Sequence, residues 1–120
     1  MPFDPDDLDD EDPFELDDGN RPHLCNHFPY TENDLYDIFD CDSQFYPTGE
    51  GEEEVDGRRR AQWLMVGQPP GEPPLVVPLA APNSGDPTKA RPISIYPATG
   101  LTKTMYLRDT GQIRQPRETR

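Results

Sequence analysis

The sequence predicts an α+β fold in which a small antiparallel β-meander of three to four strands is packed by an N-terminal and a C-terminal helix. Three observations predict this class: one segment with apolar residues at helical spacing, two apolar runs flanking a proline and glycine turn, and a third alternating run. The helical spacing lies at 32–41, the two apolar runs at 61–68 and 75–80, and the alternating run at 91–97. Strands that follow one another usually pair as neighbours, which favours a meander.

Charge divides the chain of 120 residues, whose net charge is −13, into unlike parts. Residues 1–19, here called the acidic arm, hold ten acids and no base, whereas residues 57–120 hold ten bases against four acids. Self-repulsion and low apolar content predict that the arm is disordered, followed by one domain at 20–110 and a flexible tail at 111–120. The alternative is that the arm's acids and spaced apolar residues cover a basic surface, in this chain or on a partner.

The first half of the domain contains one clear helix. Thr31 can act as its N-cap, and Leu35, Ile38 and Phe39 share one face, which predicts a helix over 32–41. The run "SQFYP" is typical of a short strand, and the glycine-bounded run "TGEGEEEVDG" is typical of an exposed acidic loop.

The second half contains the sheet. In "AQWLMVGQ", Trp63 and Met65 lie on one face and Leu64 and Val66 on the other, so both faces are expected to be covered. "LVVPLA" is the second strand of a hairpin, and its proline places it at an edge or interrupts it. "RPISIYP" is the third strand, with its two isoleucines on one face, and the run "GLTKTMYLRD" after Thr99 is a short helix.

No apolar stretch approaches the roughly 20 residues that span a bilayer, and the N-terminus lacks a signal-peptide pattern. The predicted location is therefore cytoplasmic, with no membrane partner. Cys25 and Cys41 have no metal-site or redox spacing and are expected to be reduced thiols.

Three segments resemble the BrnT family of type II toxins. "HLCNHFPYTENDLYDIFD" is similar to that family's opening helix, "GRRRAQWLMVGQPPGEPPLVVPL" to its glycine and arginine, strand, turn and strand, and "ARPISIYPATG" to its closing strand and helix start. The resemblance covers residues 23 to about 108 and implies a ribonuclease with a RelE-like fold. It also implies an antitoxin encoded alongside, often with its own DNA-binding domain.

The chain departs from the family pattern in ways that make it a distant relative. Asn26 stands where the family has a lysine before the histidine, and Ile95, Tyr96 and Pro97 replace basic residues after the last serine. The resemblance therefore admits a member with altered or lost catalysis.

Metal-independent RNA cleavage needs groups that move protons and a group that stabilises charge on the phosphate. His27, Arg91 and Tyr96 are the predicted catalytic residues. Histidine suits the proton steps, arginine binds phosphate through its planar fork, and the tyrosine could stack a base. The predicted RNA-binding residues are Arg58, Arg59, Arg60 and Lys89.

Each of these assignments has a structural alternative. His27 beside Phe28 and Pro29 can simply pack or cap a turn, and the arginine run can pair with the acidic "GEEEVD" before it. The histidines at 23 and 27 lack a third ligand, and the glycine turns lack the context of a phosphate loop, so no metal and no cofactor are predicted. The predicted function is a toxin-like ribonuclease with RNA and an antitoxin as partners; the alternative is a non-catalytic interaction module that binds a partner through its sheet or acidic arm.

Overall fold

The computed structural model describes residues 3–24, 29–49 and 60–113, together with the backbone at 54–55 and 58–59. A 3-10 turn at Pro5–Asp7 precedes three helices, α1 (Arg21–Leu24), α2 (Glu32–Asp40) and α3 (Gly100–Asp109). The strands are β1 (Gln44–Pro47), β2 (Glu54–Val55), β3 (Arg58–Arg59), β4 (Trp63–Gly67), β5 (Leu75–Ala80), β6 (Arg91–Pro92) and β7 (Tyr96–Pro97). The predicted α+β class is confirmed.

The main sheet has five antiparallel strands. Its order is β1-β4-β5-β6, and β7 also pairs with β5. β2 and β3 form a separate two-residue ladder, and β2 lies inside the segment predicted to be a loop. The predicted hairpin is present as β4 and β5, so local turn chemistry and alternation were sufficient to identify the centre of the sheet.

The predicted strand at 91–97 is divided into β6 and β7 by a β-bulge. Val76 pairs with Tyr96, and Leu79 pairs with Pro92. Between these two pairs β5 has two residues, 77–78, whereas the segment that joins β6 to β7 has three, 93–95. That segment therefore accommodates one extra residue.

Pro78 lies in β5 opposite the bulge and has no N–H to donate to the ladder. It still accepts, because the Ile93 amide donates to its carbonyl at 2.9 Å. The extra residue breaks the two-residue alternation. As a result Ile93 is 37% exposed while Ile95 is buried, although the sequence pattern places both on one face.

Both faces of the sheet are covered, as the pattern of β4 predicts. One face packs against α2, α1 and the acidic arm, and its buried residues include Leu24, Leu35, Ile38, Met65, Leu75, Val77 and Leu79. The other packs against α3 through Val66, Val76, Ala98 and Tyr106. The sheet is therefore the middle of three layers.

The predicted start of α2 is confirmed at its N-cap. The Thr31 amide donates to the Asp34 carboxylate at 2.7 Å, which satisfies an N–H group that the helix leaves without a partner. At its other end α2 approaches β4 so closely that a Cβ on Gly67 would overlap the carbonyl oxygen of Ile38. Only glycine allows this contact, which fixes the helix on the sheet.

The acidic arm departs from its predicted disorder, because its described part, residues 3–19, packs against the sheet. Phe3, Leu8 and Phe14 are 3 to 6% exposed and belong to the same core cluster as α2 and the strands. The Phe14 ring meets the rings of Tyr36 and Phe39 edge-on, at centroid distances of 5.3 and 5.8 Å. These aromatic contacts and the apolar burial oppose the repulsion between the carboxylates.

Candidate functional site

The arm meets the sheet beside β6, at a contact we call the arm junction: Asp12, Glu15 and Asp17 of the arm with Lys89 and Arg91. The backbone there forms a parallel bridge between Phe14 and Ala90. The Ala90 amide donates to the Pro13 carbonyl and the Glu15 amide to the Ala90 carbonyl, both at 2.8 Å. The arm thus pairs with the backbone of the residue just before β6, whose N–H and C=O groups would otherwise be unpaired.

Arg91 is the centre of the arm junction. Its Nη1 lies 2.9 Å from Glu15 Oε1 and 2.7 Å from Asp17 Oδ2, and its Nη2 lies 3.2 Å from Asp17 Oδ1. The side chain of Arg91 is 14% exposed and that of Glu15 is 16% exposed. A guanidinium held by two carboxylates in this way has little capacity left for a phosphate.

The pKa values of the acids reflect this pairing. Burial alone would raise the pKa of Glu15, but hydrogen bonds from Ser84, Arg91 and the Asn83 amide outweigh it and lower the pKa to about 2. The hydrogen bond from Arg91 lowers the pKa of Asp17, also to about 2. Both groups are therefore carboxylates at neutral pH.

Lys89, two residues before Arg91, also pairs with a carboxylate of the arm. Its Nζ lies 3.0 Å from Asp12 Oδ2, and it also donates to the Asp12 carbonyl. The hydrogen bond from Lys89 is the largest cause that lowers the pKa of Asp12. Two cations predicted to contact RNA are thus both paired with acids of the same chain.

A second candidate site is a groove of about 490 Å³. It lies among α1, the bulge, β7 and the start of α3, and its lining residues are His23, Leu24, Ser94, Ile95, Tyr96, Pro97 and Thr99. Leu24 and Ile95 are buried, and burial raises the pKa of the Tyr96 hydroxyl. The groove therefore offers apolar walls together with an imidazole, a phenol and two hydroxyls, which suits an apolar side chain or a flat ring.

The predicted catalytic residues do not form one group in the described part of the chain. Arg91 pairs with Ala80 at one end of β5, and Tyr96 pairs with Val76 four residues away. At about 3.4 Å per strand residue this separates their backbones by roughly 14 Å. His27 lies outside the described residues.

The predicted RNA-binding residues also fall in different places. Arg58 and Arg59 form β3, of which only the backbone is described, and Arg60 follows it with an exposed side chain. Lys89 lies at the arm junction. His23, at the third position of α1, lines the groove, although it was not among the predicted catalytic residues.

Three further observations are negative, and the first two concern the described residues alone. No helix among them is long and apolar enough to cross a membrane. No three or more of their His, Cys, Asp and Glu side chains are grouped to hold a metal ion. No protein-family model, curated protein or solved structure matches the chain.

Proposed function

We propose that this chain is a non-catalytic interaction protein that binds a basic surface of a partner protein through its acidic arm. The observation that carries the proposal is that the arm is fixed to the sheet while eight of its acids are exposed, Asp12 at the arm junction and seven outside it. The seven are Asp4, Asp6, Asp7, Asp9, Asp10, Glu11 and Asp18. Because the arm is already ordered, a partner would not bear the entropy cost of ordering it.

Electrostatics favours a basic protein over RNA as the partner. Binding to RNA depends largely on cations that neutralise phosphates. Lys89 and Arg91, two of the candidates, are paired with Asp12, Glu15 and Asp17. A fixed set of like charges of this density attracts the opposite charge and speeds its association.

The test uses two variants with the same change in net charge. In the arm variant Asp6, Asp7, Asp10 and Glu11 become the corresponding amides. In the control variant Asp37, Asp40, Asp42 and Glu72 become amides, which changes α2 and two loops instead. Each is used as bait with the lysate of the source cell, and the captured protein is then purified for kinetics.

We expect a basic protein that binds the wild type and the control, with an association rate that falls as salt is added. The arm variant should associate at least about tenfold more slowly. Equal binding by the arm variant and the control would contradict a role for the arm.

A second candidate is a toxin-like, metal-independent ribonuclease whose partner is an antitoxin. It is favoured by the groove, in which His23 can move a proton and Tyr96 can stack a base, and by the resemblance to BrnT. Induced expression of the wild type beside His23→Ala, Tyr96→Ala and Arg91→Ala, with growth and total RNA integrity as readouts, tests it. A wild type that neither slows growth nor degrades RNA excludes this activity.

A further inference from the structure

The loop after β5 holds the Glu15 carboxylate in a cradle of hydrogen-bond donors. The Asn83 amide donates to Oε1 at 2.8 Å, and the Ser84 amide donates to Oε2 at 3.0 Å. Arg91 Nη1 adds a charged donor to Oε1 at 2.9 Å. Both oxygens of one carboxyl group are therefore bound, by two successive backbone amides and a guanidinium.

The loop builds this cradle from its own contacts. The Gly85 amide donates to the Pro82 carbonyl at 3.3 Å, and Gly85 adopts φ +78°, which closes a turn over 82–85. The two central amides of such a turn take no part in its own hydrogen bond and point outward together, a geometry that binds anions. The Asp86 amide donates to the Ser84 hydroxyl oxygen at 3.3 Å, and Asp86 in turn accepts from the Thr88 amide at 2.9 Å.

Arg91 is held in place independently of Glu15. Its two terminal nitrogens bind Asp17 at 2.7 and 3.2 Å, and these bonds do not involve the loop. The loss of the Glu15 side chain would thus leave the two amides and the guanidinium in position. The hydrogen-bond donors that now bind Glu15 would then have no acceptor there.

We infer that the turn at 82–85 and Arg91 form an oxyanion-binding site, of which Glu15 is the internal ligand and which takes a carboxylate or a phosphate group once Glu15 is removed. The ligand class follows from the donors. The two amides and the guanidinium bind two oxygens that share one central atom, and both a carboxylate and a phosphate present such a pair of oxygens. In the intact chain Glu15 competes with outside anions at a high effective concentration. This site goes beyond the proposed binding of a basic partner and uses a different face of the arm.

The experiment compares the wild type with Glu15→Ala, Glu15→Gln and Glu11→Ala. Glu15→Ala empties the cradle, Glu15→Gln keeps it filled by a neutral side chain of the same shape, and Glu11→Ala removes the same charge from an exposed position of the arm. The Tm of each is measured with increasing sodium formate and, separately, inorganic phosphate, against sodium chloride at equal ionic strength. The Asn83 and Ser84 amides are followed by NMR in the same titrations.

We expect a saturable rise in Tm for Glu15→Ala alone, accompanied by shifts of the two amide resonances. The anion with the lower midpoint, formate or phosphate, identifies which oxyanion the site prefers. Equal rises in Glu15→Gln, or no rise in Glu15→Ala beyond chloride, would overturn the inference. A Glu15→Ala chain that stays unfolded at every anion concentration while Glu15→Gln folds would also overturn it, since an anion in the cradle should restore what the carboxylate provided.

Discussion

Replacement of Phe14 by alanine tests whether the acidic arm is part of the core. Phe14 is 3% exposed and packs edge-on against the rings of Tyr36 and Phe39. Removal of a buried phenylalanine side chain costs about 3–5 kcal/mol, which includes the cavity that it leaves. Two lost aromatic contacts place the expected value toward the upper part of that range.

The loss is measured by urea unfolding, followed by the fluorescence of Trp63, the single tryptophan. This probe reports on the arm directly, because the indole Nε1 donates to the Phe3 carbonyl at 3.2 Å. Leu101→Ala is the control, since Leu101 is 71% exposed and its truncation should change the unfolding free energy by less than about 0.5 kcal/mol. A Phe14→Ala loss as small as that of the control would refute the docked arm.

Three further predictions concern acid stability and two packing contacts. Because the pKa values of Glu15 and Asp17 are lowered to about 2 from 4.5 and 3.8, their contribution to stability is complete above about pH 4.5 and is lost as the pH falls toward 2. Urea midpoints should decline in that window, and Glu15→Gln should make the decline shallower; an unchanged slope would contradict the assignment. Gly67→Ala forces a methyl group against the backbone of α2 and should lower the unfolding free energy by about 1–3 kcal/mol, whereas a change under about 0.5 kcal/mol would contradict the close approach. Tyr46→Phe removes a hydrogen bond of 2.7 Å to Asp109 that joins β1 to α3, with an expected cost of about 1 kcal/mol in the same unfolding assay, and no measurable cost would show that the bond is not needed.

The parts of the fold that could be predicted from sequence are those with local signals. The helix starts at Thr31 and Thr99 and the two-faced alternation of β4 depend on neighbours in the chain, and the structure confirms them, although the Thr99 side chain makes no capping hydrogen bond. The bulge between β6 and β7 could not be placed, because it depends on how Pro78 is aligned opposite another strand.

The packing of the arm against the sheet could not be predicted for a related reason. Composition describes the arm as a set of repelling charges, whereas the cations that pair with these charges are more than 70 residues away in sequence. Arg91 was predicted to bind a phosphate, whereas in the structure it binds two carboxylates of the same chain, which the sequence alone could not show. The prediction that the acids cover a basic surface, weighed as an alternative, describes this contact.

The packing of the arm also decides where RNA-directed chemistry could take place. For a phosphate to reach Arg91, Glu15 and Asp17 must withdraw, and Leu16 between them packs against the core. Withdrawal that also pulls out Phe14 costs about 3–5 kcal/mol. A hydrogen bond to a charged group contributes only about 1.5–3 kcal/mol in return. A single phosphate contact at Arg91 therefore contributes less free energy than withdrawal of the arm costs. If the expression test detects a ribonuclease activity, we expect its site to be the groove of His23 and Tyr96 near the other end of β5.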